Sequence, residues 1–318
     1  MPACAGRQAH FHYSLNHMKN FISWSIFAHL FIFLTLFSCS RKEAEDKAKK
    51  LSSEASFKLL NNDKKGAIAD ISEAIKLDGK SEYYIKRAEY KMSGNDFDSK
   101  GAIEDVSEAI RLDGKPAYYA TRAEYKAIAN LSQKEVLDDL NKAIALLESG
   151  KKDDLTPVAL INTWKARANL HAKMSNQAEA LKDLTLLIDT YSKVAEDKQQ
   201  YCIANVIDAY LQRGFIAYST DKKEALANFV KALEISQGKN VDALYNMGVI
   251  KTELADFEGA LSCYNQAVNI GEVSGAVYSN RGMVLMELKR LDEACKDWQQ
   301  ARRMGEQMGN QNIRKYCR

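Results

Sequence analysis

A reaction centre needs side chains that move protons, and histidine is the one whose charge changes nearest neutral pH. The 318-residue chain has five, but His10, His12, His17 and His29 all precede residue 30. A Cys/His, Ser/His/Asp or metal site in the rest of the chain would have to be built around His171, which has no cysteine or acid within one helical turn. None of the patterns GxSxG, GxGxxG, HExxH or CxxC occurs, and there is no P-loop. The expectation is a surface histidine, no catalytic residue, no cofactor and no metal. Two other residue types could do chemistry. Cys202, Cys263, Cys295 and Cys317 form an even set, which suggests disulfides if the chain meets an oxidising compartment. For Cys202 and Cys263 the other reading is that of small buried apolar residues. The pairs Tyr83-Tyr84 and Tyr118-Tyr119 could stack a sugar ring or a peptide, or simply pack.

The amino-terminal region carries a different message. Met18 and Lys19 give a short positive start, and Phe21 to Phe37 is an apolar run, the order of parts in a secretory signal. Leu36-Phe37-Ser38-Cys39 resembles a bacterial lipobox, although Phe37 stands where that pattern has a small residue. The resemblance implies cleavage before Cys39, acylation of its thiol and, from Ser40, sorting to the outer membrane. A plain cleaved signal and an uncleaved anchor are the alternatives, and the basic flank after Cys39 would hold an uncleaved chain in the cytoplasm. The expected organisation is therefore an untranslated or unstructured stretch at 1–17, a lipoprotein signal at 18–38 and a charged linker at 39–47. Beyond residue 38, 43 Lys and Arg stand against 42 Asp and Glu, a balance that gives no electrostatic case for nucleic acid.

The elements that must position any site are helices. Proline is confined to Pro2, Pro116 and Pro157, while Ala, Leu, Lys, Glu and Ile are plentiful. The stretch ISEAIKLDGKSEYYIKRAEYK at 71–91 returns 35 residues later as VSEAIRLDGKPAYYATRAEYK at 106–126, with 15 of 21 positions identical. Followed along the chain, the repeat is a helix pair. Its first helix carries a small residue, at Ala55, Ala88, Ala123, Ala168, Gly214, Gly248 and Gly282. Its second carries a large residue at Ile71, Val106, Leu140, Leu184, Phe229, Tyr264 and Trp298. Two antiparallel helices approach closely only where one offers Ala or Gly and the other fills the notch. One hairpin cannot hide its apolar stripe alone, so hairpins stack. Asp78-Gly79 and Asp113-Gly114 are expected to end second helices with a left-handed glycine. Two longer spacings fall at 147–157 and 191–200, polar stretches expected as extended turns or lengthened helix ends.

This pattern resembles the tetratricopeptide repeat, most closely at 241–270 (Leu244, Gly248, Ala260, Tyr264, Ala267) and 275–303 (Tyr278, Gly282, Ala294, Trp298, Ala301). The family's closing proline is absent. The resemblance implies an all-α, right-handed α-solenoid over 48–305 with repeats near 48–79, 81–114, 116–148, 157–192, 203–238, 241–272 and 275–305. A capping segment follows at 306–318. In this register Tyr84 and Tyr119 pack, and Tyr83 and Tyr118 lie nearer the rim. The closing stretch, EACKDWQQARRMG followed by IRKYCR, resembles the end of exported bacterial repeat lipoproteins, which implies a Cys295–Cys317 bridge.

The family binds peptides or partner helices in a concave groove lined by first helices. Carried onto this chain, the groove candidates are Glu89, Glu124, Lys165, Asn169, Gln212, Tyr245, Asn246 and Asn280. Lys165 and Asn169 resemble half of the clamp with which chaperone-binding members hold a C-terminal carboxylate, but Asp242 stands where the other half needs a lysine. The expected function is a non-enzymatic scaffold, lipid-anchored at the bacterial cell envelope, that binds a protein or peptide partner. The alternatives are an outer-membrane assembly or secretion accessory and, from another class, a glycan-binding or enzymatic envelope lipoprotein.

Overall fold

The computed structural model describes residues 40–150, 152–271 and 273–317. The signal at 18–38 and the acylation site Cys39 lie outside them. The chain divides between Gly114 and Lys115 into two compact units.

The first unit holds four helices: α1 (40–60), α2 (Lys64–Leu77), α3 (Ser81–Met92) and α4 (Ser99–Leu112). Residues 40–47, expected as linker, form the first two turns of α1. Their run of Ala, Glu and Lys favours helix, Ala48 is buried, and Lys80 ties Glu45 to the start of α3 at 2.6 Å. The second unit holds five hairpins and a closing helix. These are α5 (Pro116–Ile128) with α6 (Gln133–Ser149), α7 (Thr156–Lys173) with α8 (Gln177–Tyr191), and α9 (Ile203–Tyr218) with α10 (Lys222–Ile235). They continue with α11 (Val241–Glu253) and α12 (Phe257–Ile270), α13 (Gly275–Glu287) and α14 (Leu291–Arg303), and end at α15 (Gln307–Tyr316). The described residues contain no strand.

Helix starts are written locally. Asp63, Asp98 and Asp256 each cap a second helix by accepting from the backbone N–H three residues on, at Gly66, Gly101 and Gly259. A Cβ on those glycines would lie 2.1–2.2 Å from a capping carboxylate oxygen, so the Asp-x-x-Gly pattern is a cap with room made for it. The stops differ from expectation. Gly79 and Gly114 are not left-handed; Asp78 and Asp113 are extended C-caps, φ −147° and −153°, because the next helix begins within three residues and needs an extended exit. Left-handed residues sit instead in the turns inside hairpins, at Asn62, Asn130, Ser175, Ala255 and Lys289.

The notch pairing holds hairpins together. Ala55, Ala88, Ala123 and Ala168 are at most 2% exposed, and their second helices bring aliphatic side chains. Where the notch is glycine, the filler is a ring: a Cβ on Gly214, Gly248 or Gly282 would fall 2.6, 2.6 and 2.5 Å from Phe229, Tyr264 and Trp298. Beside four notches an arginine forks onto an aspartate of the second helix: Arg87–Asp105, Arg122–Asp139, Arg167–Asp183 and Arg281–Asp297, each with its closest N···O at 2.6–2.7 Å. Lys91 and Lys126 add a second cation to the first two. For Asp139, burial pushes the pKa up, but hydrogen bonds from Arg122 and Lys126 outweigh it and leave the carboxyl below its usual value.

The two long spacings become lengthened helix ends and a turn. α6 runs 17 residues and α7 18, and the second insertion folds as a 3-10 turn, Glu196–Tyr201, before α9. At the far end Cys295 of α14 is joined to Cys317, with Cα atoms 5.8 Å apart. Tyr316 stacks on Trp298 at 5.7 Å, so α15 closes the apolar edge of the last hairpin.

The tyrosine pairs are the reverse of expectation. Tyr83 is 5% exposed and packs into the α1–α2 cluster, and Tyr118 is 8% exposed, whereas Tyr84 and Tyr119 are half-buried. Arg87 and Arg122, three residues on, lie over the Tyr84 and Tyr119 rings at 5.6 Å while reaching their aspartates. The arginine holds its tyrosine at the wet margin, and the neighbouring ring turns inward.

Candidate functional site

On α5 and α7 the side away from their partner helices carries mostly small or polar side chains, whereas the position of Glu124 and Asn169 is taken on α9 by the exposed Phe215. Between α5 and α7, with α6 beneath, the small side chains leave a cleft of 670 Å³. Its floor is apolar, from Ala123, Val136, Leu140 and Leu170, and Ala120, Ala127 and Ala166 keep it open. Its rims are polar: Thr121 and Glu124 on α5, and Asn162, Asn169 and Lys173 on α7. The last three, spaced seven and four apart, form one stripe of α7.

Glu124 and Asn169 thus meet in one cleft, as two of the sequence candidates. Among the described residues Glu124 has no hydrogen-bond or ion-pair partner. Lys165 is not a free clamp residue. It is 6% exposed, its Nζ donates to Asn169 Oδ1 at 3.0 Å, and it is paired with Asp208 of α9. Gln212 also donates to Asn169 Oδ1, at 3.0 Å, and to Asp208 Oδ2, at 3.4 Å. Farther along, Asn280 donates to the Tyr245 hydroxyl at 3.1 Å, and Asn246 donates to the backbone carbonyl of Asp242 at 2.6 Å. Glu89 lies in the first unit, exposed on α3. Asn205, which donates to Asn162 Oδ1 at 2.8 Å, and Lys173 were not among the candidates. The stripe Asn162-Asn169-Lys173 is visible in the sequence; its link to α9 is not.

His171 is a correction: it is buried at 8% exposure, not at the surface, and its Nδ1 has no hydrogen-bond partner among the described residues. Three residues after the Ala168 notch and seven after Trp164, it lies on the stripe of α7 that packs, as do the buried Ala217 and Leu285 at the same position of later repeats. Cys202 and Cys263 are buried free thiols whose pKa values are raised by burial, which leaves them poor nucleophiles. Among the described residues there is no group of three potential metal ligands, and no helix is long and apolar enough to cross a membrane.

Residues 241–270, α11 and α12, match the family model of the tetratricopeptide repeat. No curated protein matches the sequence. Among solved structures the chain is similar to BtubC from P. vanneervenii, at 16% identity, covering 72% of this chain and 92% of that one with a TM-score of 0.52. It is also similar to PilW, a type IV pilus biogenesis factor, at 13% identity over 73% of this chain and 98% of that one, TM-score 0.50. A third, a tetratricopeptide repeat protein from Parabacteroides merdae, is 12% identical over 85% of this chain and 98% of that one, TM-score 0.49. At these identities the likeness is one of fold.

Proposed function

We propose that this tetratricopeptide-repeat chain is a non-enzymatic scaffold whose second unit, residues 115–318, binds a segment of a partner protein along the face formed by α5, α7, α9, α11 and α13. The observation that carries this reading is the cleft between α5 and α7: an apolar floor within polar rims, of a size that takes a few residues of a peptide. Affinity would come from a few anchored side chains rather than from area.

We further propose that the chain is held at a bacterial cell envelope by acylation of Cys39. Two features support this: the lipobox-like Leu36 to Cys39, and a Cys295–Cys317 bridge of the kind that persists in oxidising compartments. Labelling with a radioactive fatty acid tests the anchor. Incorporation into the chain and its loss in Cys39→Ala are expected; no label in either would end that part. For the groove, a partner recovered from cross-linked membranes should be lost with Ala166→Arg, which fills the cleft, and retained with Lys142→Glu on the exposed side of α6. Equal recovery with both would refute groove binding.

A further inference from the structure

The α5–α7 cleft has a polarity, and it is opposite to that of a carboxylate clamp. Of the two lysines on this stretch of α7, Lys165 is buried and paired with Asp208, and Lys173 stands exposed at the carboxyl-terminal end of the rim. The free charge in the middle of the cleft is the Glu124 carboxylate, exposed on α5 and without a partner among the described residues. Across from it on α7, the orientation of Asn169 is chemically fixed. An ammonium can only donate, so Lys165 must face the Asn169 oxygen. Both Nδ2 hydrogens of Asn169 are left for an acceptor in the cleft that the residue lines.

These two groups ask for different things. Asn169 needs a carbonyl that is not already bonded, and Glu124 needs a cation. A helical partner satisfies all but its last four carbonyls internally, so along most of its length it has none to offer the amide. An extended segment exposes backbone carbonyls along its whole length. The α7 rim from Asn162 to Lys173 is about 16 Å long at 1.5 Å per residue, enough for roughly five extended residues. Ala120, Ala127 and Ala166 leave room for such a backbone to lie low between the helices. Lys173, exposed at the carboxyl-terminal end of the same rim, repels a second cation and so fixes where along the segment the first one lies.

We infer that the cleft between α5 and α7 is a subsite for an extended peptide segment with a lysine or arginine side chain paired to Glu124 and a backbone carbonyl accepting from Asn169. The inference rests on the reading of this face as a peptide-binding surface. The probe is a positional-scanning library of acetylated, amidated hexapeptides, bound to the full-length protein in detergent. Wild type should enrich Lys and Arg about fivefold at a single position, the upper range for a solvent-accessible ion pair, and the enrichment should weaken with added salt. Glu124→Gln should erase it while retaining binding, and Glu124→Lys should replace it with a preference for Asp and Glu. Because Glu124 is exposed, neither change threatens the fold. Hexapeptides that bind without a basic preference, or with the same preference in Glu124→Gln, overturn the assignment of Glu124 and leave groove binding standing. A library in which nothing binds wild type overturns both.

Discussion

Gly282→Ala is the substitution in which packing and propensity pull hardest against each other. Gly282 lies inside α13, where alanine is favoured over glycine by about 1 kcal/mol. A Cβ there would sit 2.5 Å from Trp298 Nε1, 2.8 Å from Cδ1 and 3.0 Å from Cε2. Carbon contacts are comfortable near 3.5–4.0 Å, so the ring or the helix must retreat by about 1 Å. The ring has little freedom to do so. Trp298 is fully buried, its Nε1 donates to Ser279 O at 3.2 Å, and Tyr316 stacks on it under a disulfide-tied cap. Overpacking of this kind costs about 1–3 kcal/mol, and displacing the indole hydrogen bond about 1 more. Set against the propensity gain, the net is a destabilisation of about 2 kcal/mol. Urea unfolding followed by circular dichroism reads it as a lower midpoint with an unchanged slope. The repair is specific. Ala123 faces Leu140 and Ala168 faces Leu184 elsewhere in the chain, so Trp298→Leu should partly rescue Gly282→Ala. The double variant should be more stable than the two single effects added together by at least 1 kcal/mol. A neutral or stabilising Gly282→Ala, or strict additivity in the double variant, refutes the notch argument.

Three further expectations follow from the arginine forks and the cap. Arg213 lies beside its notch like the other four arginines, but Asn228 occupies the aspartate position and Arg213 Nε has no hydrogen-bond partner among the described residues. Asn228→Asp should complete the fork and raise stability by about 1 kcal/mol at neutral pH; a loss of stability would show that its burial outweighs the pairing. Asp139→Asn leaves Arg122 and Lys126 without their anion and should cost about 3 kcal/mol at pH 7. Because the folded Asp139 pKa lies below its unfolded value, this stability is complete above the unfolded pKa, near 4, and is lost as pH falls through the folded one. The gap between wild type and variant should therefore close under acid, and a gap constant from pH 7 to pH 2 would contradict the assignment. Cys317→Ser opens a loop spanning a separation of 22 residues and should cost about 3 kcal/mol, visible as faster hydrogen exchange confined to α15 and its contacts on α13 and α14. Unchanged exchange in α15 would show that the cap holds without the bridge.

The helix hairpins are legible in the sequence because their determinants are local and periodic. A small residue, a large one at fixed spacing and an Asp-x-x-Gly cap can all be read without knowing what lies across the chain. Even the choice of filler is consistent, rings over Gly214, Gly248 and Gly282, and aliphatics over alanine. Side-chain direction within a helix is less legible. Tyr83 and Tyr84 exchange roles because Arg87 must reach Asp105 18 residues away, and that pairing decides which ring stays wet. His171 is buried because it lies three residues beyond the Ala168 notch on the packed stripe of α7, a position held by lysine in the first two full repeats (Lys91, Lys126) and so easily taken for surface. The groove is half legible. Its residues follow from the repeat register, but Lys165 is withdrawn from use by Asp208, and Asn169 is oriented by Lys165 and by Gln212 43 residues away, pairings that only the stacked hairpins create.

The central claim is that partners dock along the first helices of the second unit. It is tested most directly by placing a photo-reactive benzoylphenylalanine, one site at a time, at Ala166, Asn246 and Asn280 on first helices and at Lys142, Lys231 and Gln266 on second helices, then irradiating living cells. A cross-linked species of the same mass is expected from the first set and none from the second. Cross-links confined to the second-helix positions would contradict it.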